Sequence, residues 1–288
     1  MSNIEEIIGS VNTSEVFDKE AWVEKKRQER NSVYEMIDKT AEEVVTDINK
    51  YKQYLDVQSK FDKYSVGNAL LITAQNPSAT RLRDFDGWKE AGLYVSKGAV
   101  GTLILEPGDS YTKEDGSVAQ MYNPKRVFDI SQTNNKQSIK TNHYDDKLML
   151  KALLHECNMN IQVVDDLDGG KVASWNKEDS TLYVKRDPDT KAVFRAITTE
   201  MARSDFEGSS EVVDFKSNSV AYLVAGKYGL DNSKIELGNI PSSLQSLEVK
   251  DVRNELSSIR SGMEDIDSRI SQYLESVTKT QRNVEQER

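Results

Sequence analysis

The sequence predicts an α+β protein: a helical unit with a small sheet, a second unit of strands followed by helices, and one long terminal helix. Three observations carry that reading. Apolar residues recur every three or four positions near both ends of the chain, and short β-branched runs bounded by glycine and proline lie between. In addition, 30% charged against 37% hydrophobic residues calls for long exposed helix faces. At 288 residues the chain is long enough for two domains and a sizeable core.

Residues 14 to about 62 read as one long helix or two, because Val33, Ile37, Ala41, Val44, Ile48, Tyr51 and Leu55 recur at helical spacing amid dense charge. A second helical period follows in Val66, Ala69, Leu70, Ile72, Thr73 and Ala74, and it should stop where Asn76 precedes Pro77. Arg81 and Arg83 come next, then Trp88, Lys89 and Tyr94 within 85–95. Lys97-Gly98 and Gly101 lead into a strand from Thr102 to Leu105, which Pro107 is expected to close. The polar stretch 108–125, with Asp115-Gly116 as a turn signal, is either a hairpin extension or a loop before a strand at Val127–Ile130.

These pieces resemble a family: the N-terminal domain of ArdC-type antirestriction proteins and the related LtrC-like proteins of conjugative elements. Matching features are Asn68 in the apolar helix, the Gln75, Pro77, Ala79-Thr80 turn, Trp88, Gly92, Lys97-Gly98, Gly101, Pro107 and VFDISQT at 127–133. The resemblance implies a single-stranded-DNA-binding domain over residues 14–135, after a flexible stretch 1–13. No cofactor is expected for the chain, and the candidate nucleic-acid contacts are Asn68, Gln75, Arg81, Arg83, Trp88, Lys89, Tyr94 and Lys97.

The chemistry of those residues is compatible with that implication. Single strands are held by cations that track phosphates and by aromatic rings on which bases stack, each base contributing about 1–3 kcal/mol. Trp88 taken alone has a competing reading as a core anchor, since large aromatics are mostly buried. Charge also argues against broad attraction to DNA: 38 basic against 48 acidic residues give a net charge of −10. Between Tyr64 and Pro107, however, Arg81, Arg83, Lys89 and Lys97 balance Asp84, Asp86, Glu90 and Glu106. A neutral face on an acidic protein predicts modest, salt-sensitive binding.

The second unit, residues 145–240, has a helical period at 147–157, strand-like runs at 161–166 and 181–186, and helices at about 189–205 and 214–228. That order resembles zincin metallopeptidases and the C-terminal domain of ArdC-type proteins. There the first of the two late helices carries His-Glu-x-x-His and the second a glutamate ligand. Here the aligned positions are Thr199, Glu200, Met201, Ala202 and Arg203, with Asn218 at the glutamate slot. A permanently charged guanidinium repels Zn²⁺, so only Glu200, the would-be general base, persists. Arg203 is expected to pair with Glu200 at i,i+3 in the emptied position. His143 and His155 are the two histidines, and His155-Glu156-Cys157, adjacent along a helix, would point apart and form no ligand set.

The tail, 243–288, carries heptad rows Leu256, Met263, Ile270, Val277 and Val252, Ile259, Ile266, Tyr273, interrupted by Gly262. It is either a coiled coil that makes a homodimer or a single amphipathic helix lying back on the N-terminal helix. The acidic N-terminus does not resemble a secretory signal, one cysteine suits a reducing compartment, and no membrane span is expected, all consistent with the cytoplasm. Three functional readings follow. The first is a non-enzymatic single-stranded-DNA-binding protein of a mobile element, with a protein partner at the zincin-like unit or tail. The second is an acidic DNA mimic that captures a host defence enzyme, and the third an active zinc metallopeptidase using other ligands.

Overall fold

The computed structural model describes residues 18–134, 144–186 and 189–286, with side chains as far as Lys279. The stretch 1–13, His143 and the last residues of the polar tail lie outside the described residues. Helix α1, Lys19–Thr46, starts at Asp18, whose carboxylate accepts from the Glu20 and Ala21 amides. It ends at Asp47, where extended backbone breaks the helix and the same side chain caps α2, Ile48–Lys60, through the Asn49 and Lys50 amides. The long N-terminal period is therefore two helices, divided by one aspartate. Helix α3, Val66–Gln75, begins under the Ser65 hydroxyl and stops at Asn76, the position before Pro77.

The first sheet joins β1, Leu82–Arg83, β2, Thr102–Thr112, and β3, Val118–Asp129, in the antiparallel order β1-β3-β2. Between β1 and β2 runs the short helix α4, Phe85–Glu90. Pro107 does not close its strand as expected. It pairs with Tyr122, the register shifts between Pro107 and Ser110, and β2 runs on to Thr112. Proline is tolerated because β2 is an edge strand. Residues 108–125 are thus the outer half of a long hairpin, turned at Asp115-Gly116, with Gly116 at φ +79°.

Helix α3 runs along the free edge of β2. The Asn68 carboxamide accepts from the Leu105 amide at 2.7 Å and donates to the Leu105 carbonyl at 2.8 Å. Gln75 does the same for Leu103, at 2.9 Å in both directions. Two side chains therefore stand in for a neighbouring strand and satisfy edge groups that would otherwise recruit another chain.

The second half places α5, Asp146–Leu154, before a sheet of order β4-β6-β5 built from Asn160–Val164, Ala173–Asn176 and Thr181–Lys185. Strand β4 is parallel to β6, and β5 is antiparallel to it. Helices α6, Thr190–Arg203, and α7, Ser210–Lys227, follow. After the short α8, Ser242–Gln245, the chain ends in α9, Val249–Gln286. His155 lies just beyond α5, and its ring meets Tyr273 of α9 at 4.9 Å.

In the tail, Val252, Leu256, Ile259, Met263, Ile266 and Ile270 are all buried within one chain, in a core shared with α1, α3, α5, α6 and α7. Of the two readings of the tail, the single amphipathic helix lying back on the chain accounts for this packing: six of the eight heptad positions are buried intramolecularly, and Tyr273 and Val277 are half-buried. Gly262 marks a close approach of α9 to α7, since a Cβ there would lie 3.1 Å from a Val220 methyl. Among the described residues no helix is long and apolar enough to cross a membrane.

Replacing either edge carboxamide should expose one peptide unit of β2. Asn68→Ala and Gln75→Ala are each expected to lower stability by about 1–3 kcal/mol in urea unfolding. Hydrogen exchange should quicken selectively at the Leu105 and Leu103 amides, respectively. Unchanged protection there would mean that the strand edge is held by something else.

Candidate nucleic-acid interface

The eight residues expected to touch nucleic acid divide into two groups. Trp88 is 1% exposed, and its indole N–H donates to the Phe128 carbonyl at 2.8 Å, pinning α4 to β3. Asn68 is 7% exposed, and Asn68 and Gln75 are both committed to β2. The expectation that these three side chains face a polynucleotide is therefore corrected: they assemble the platform. Arg81, Arg83, Lys89, Tyr94 and Lys97 are exposed.

The exposed group is held by buried polar posts. Asp129 is 1% exposed; its Oδ2 accepts from the Thr80 and Arg81 amides at 2.7 and 2.9 Å, and its Oδ1 accepts from the Ser131 amide. Gln132 returns a capping bond to the Asp129 amide. Burial pushes the Asp129 carboxyl up, but these hydrogen bonds outweigh it and hold the group below the ordinary 3.8. One carboxylate thus fixes the backbone from which Arg81 projects. Tyr94 is anchored through its backbone to Asn134, and Val95 bridges Thr133, so the loop carrying Tyr94 and Lys97 is tied to the segment after β3.

Arg83 lies over the Trp88 ring, 5.4 Å from its centroid, which is how the buried tryptophan orients an exposed cation. Arg83 also lines an open groove of about 360 Å³ with Tyr64, Gly87, Ile104 and Lys125. Lys125, absent from the sequence-based set, bridges Asp84 and Glu106 at 2.8 Å each. No periodic pattern announces it, because its partners come from α4's cap and the neighbouring strand. A wider cleft of about 930 Å³ is lined by Lys60, Lys227 and Tyr228, but Lys227 is held by Asp62 and by Asp267. Two carboxylates on one ammonium leave little attraction for a polyanion.

In the second half Glu200 is buried, and its Oε2 accepts from the Trp175 amide of β5 at 2.9 Å and from Arg203 Nε at 3.1 Å. Arg203 Nη1 pairs in turn with Asp214 of α7. The expected glutamate-slot residue, Asn218, instead donates to the Glu236 carbonyl. The residue of α7 that meets Arg203 is Asp214, one helical turn before Asn218. These residues do not fit a divalent cation, because a guanidinium stands between the two carboxylates. Among the described residues no three His, Cys, Asp or Glu side chains gather as a ligand set.

Residues 27–150 match the family described as the N-terminal domain of anti-restriction factor ArdC. Over that stretch the chain is similar to the ArdC N-terminal domain. The Mn(II)-bound crystal structure of the antirestriction ArdC protein from plasmid R388 overlays 82% of this chain and 98% of its own length, with 12% identity and a TM-score of 0.53. Its metal-free form covers 73% and 86% at 13% identity, with a TM-score of 0.48. At such identity the likeness is one of fold, and the first overlay extends it beyond the ArdC domain into the second half. No curated protein sequence matches the chain.

Two outcomes test these centres. Asp129→Asn should cost about 2–3 kcal/mol at pH 7. Because the folded carboxyl is depressed, its contribution is fully present above the unfolded value and lost as pH falls through the folded one. The difference between wild type and variant in urea midpoint should therefore shrink below about pH 4. In the second half, Arg203→Ala should cost on the order of 3 kcal/mol by stranding Glu200. Adding Glu200→Gln to that variant should recover part of the loss, and additive losses would disprove the pairing.

Proposed function

We propose that the protein is a non-enzymatic single-stranded-DNA-binding protein of a mobile element that protects transferred DNA and thereby blunts restriction. The observation that carries this reading is the ArdC N-terminal match joined to a rigid loop platform that exposes Arg81, Arg83, Lys89, Lys97 and Tyr94. Cations and one open aromatic ring around a shallow surface suit a flexible strand better than a small molecule, which needs an enclosing pocket. Residues 14–135 form the binding domain in this reading, and 145–240 form a zincin-like scaffold. In that scaffold Thr199 and Arg203 stand where metal ligands would be required, and the unit offers protein partners a surface.

The net charge of −10 favours one competitor, an acidic mimic of DNA that captures a defence enzyme without nucleic acid. Binding to fluorescent single-stranded and duplex oligonucleotides across a salt series separates the two. The expected outcome is preference for single strands, affinity that falls with salt, and weakening of several-fold each for Arg81→Ala and Lys97→Ala. Equal neglect of both nucleic acids at low salt would favour the mimic.

A further inference from the structure

The inner half of the β2–β3 hairpin has one face that forms a groove beside α4. Antiparallel pairing sets Ile104 opposite Lys125, and the two-residue period puts Glu106 beside Ile104 and Val127 beside Lys125 on that same face. Ile104 and Val127 are buried and form the floor, whereas Glu106 and Lys125 are partly exposed at the rim. Tyr64 and Arg83 complete the lining of this open groove of about 360 Å³. The Arg83 guanidinium is held in place, over the Trp88 ring and with Nη1 donating to the Gly87 carbonyl at 3.3 Å. An aliphatic floor, an aromatic ring, a planar cation and a charged rim therefore meet in one concavity.

Charge defines what this groove accepts. Its two cations, Arg83 and Lys125, are matched by two carboxylates, Asp84 and Glu106, so no net field draws in an anion or a cation. A neutral, flat group with hydrogen-bonding edges fits instead. Nucleobases have that chemistry, and those of single strands are bound on aromatic and guanidinium planes while side chains read their Watson–Crick edges. The groove is small for a ligand site, and its open side leaves room for the sugar–phosphate chain to pass. Arg83 belongs both to the groove and to the exposed cations of the platform, so the two are continuous.

The hydrogen-bonding capacity left at the rim selects the base. Asp84 is engaged at both oxygens, Oδ1 accepting from the Gly87 amide and Oδ2 from Lys125. Glu106 gives Oε2 to Lys125, and its Oε1 has no partner among the described residues. The Lys125 ammonium has three donors, of which these two carboxylates take two. A carboxylate beside one remaining N–H matches guanine, whose N1–H and N2 amine are adjacent donors that one carboxylate accepts together and whose O6 acceptor lies next to them. Adenine and cytosine offer a carboxylate a single amine on that edge, and thymine a single imide N–H.

Resting on the single-strand reading above, we propose that this groove is a guanine subsite of the nucleic-acid interface. Glu106 accepts from N1 and N2 of the base, Lys125 donates to O6, and Arg83 stacks on the ring. Glu106, which would repel a phosphate, thereby gains a role in reading the base, and binding becomes biased by sequence instead of uniform.

The test is fluorescence anisotropy of the full chain with labelled thymidine oligomers that differ only at the central nucleotide: thymidine, deoxyguanosine or deoxyinosine, the last lacking only the N2 amine. The guanine oligomer should bind about fivefold tighter than the all-thymidine one, the lower end for a bidentate base contact, and inosine should lose most of that gain. Glu106→Gln leaves Lys125 paired with Asp84, and it should abolish the guanine preference without weakening binding of the all-thymidine oligomer. Equal affinity of the wild type for guanine and inosine, or a guanine preference that survives in Glu106→Gln, overturns the subsite and leaves the single-strand reading standing. If the wild type binds none of the oligomers at low salt, both readings fall.

Discussion

The first half of the molecule depends on two carboxamides that act as a strand. Asn68 and Gln75 each give one donor and one acceptor to the backbone of β2, so α3 is fixed to the sheet by polar geometry as well as by apolar packing. A sheet of three strands, one of them two residues long, would be marginal alone. Joined to α3, it shares the core of α1 and α2, and the segment that leaves α3 at Asn76 is delivered to Asp129. The cations of that segment are exposed but not loose, because their backbone is held by a buried carboxylate. Ordering of this kind lowers the entropy lost when a flexible ligand is bound.

Much of this architecture was legible from residue pattern, and the failures have identifiable causes. The stop before Pro77, the Asp115-Gly116 turn and the order of elements in the second half follow from local steric rules and periodicity. The roles of Asn68, Gln75 and Trp88 do not, because a side chain bonded to a distant backbone leaves no local signature. All three sit in the stretch that resembles the ArdC domain, where residues that build the platform and residues that would use it are intermixed in sequence. Pro107 misled for a related reason: whether a proline ends a strand depends on which edge faces solvent, a property of the assembled sheet.

The tail shows the same ambiguity on a larger scale. A seam of alternating three- and four-residue spacing records only that one stripe of a helix is covered. It does not say whether the cover is a second copy or the rest of the same chain. Here α7, α5 and α1 supply it, and Gly262 lets α9 approach Val220 closely enough to close the packing. The lost helix propensity at that glycine is about 1 kcal/mol, small beside the burial of six large aliphatic side chains along the same helix.

The second half solves an electrostatic problem that its fold poses. A carboxylate buried beside the Trp175 amide needs a countercharge to offset its lost hydration. Arg203 supplies it, offering Nε to Glu200 and Nη1 to Asp214 in charge-assisted hydrogen bonds, and so ties α6 to α7. The Glu200 oxygen is thus the link between β5, α6 and, through Arg203, α7.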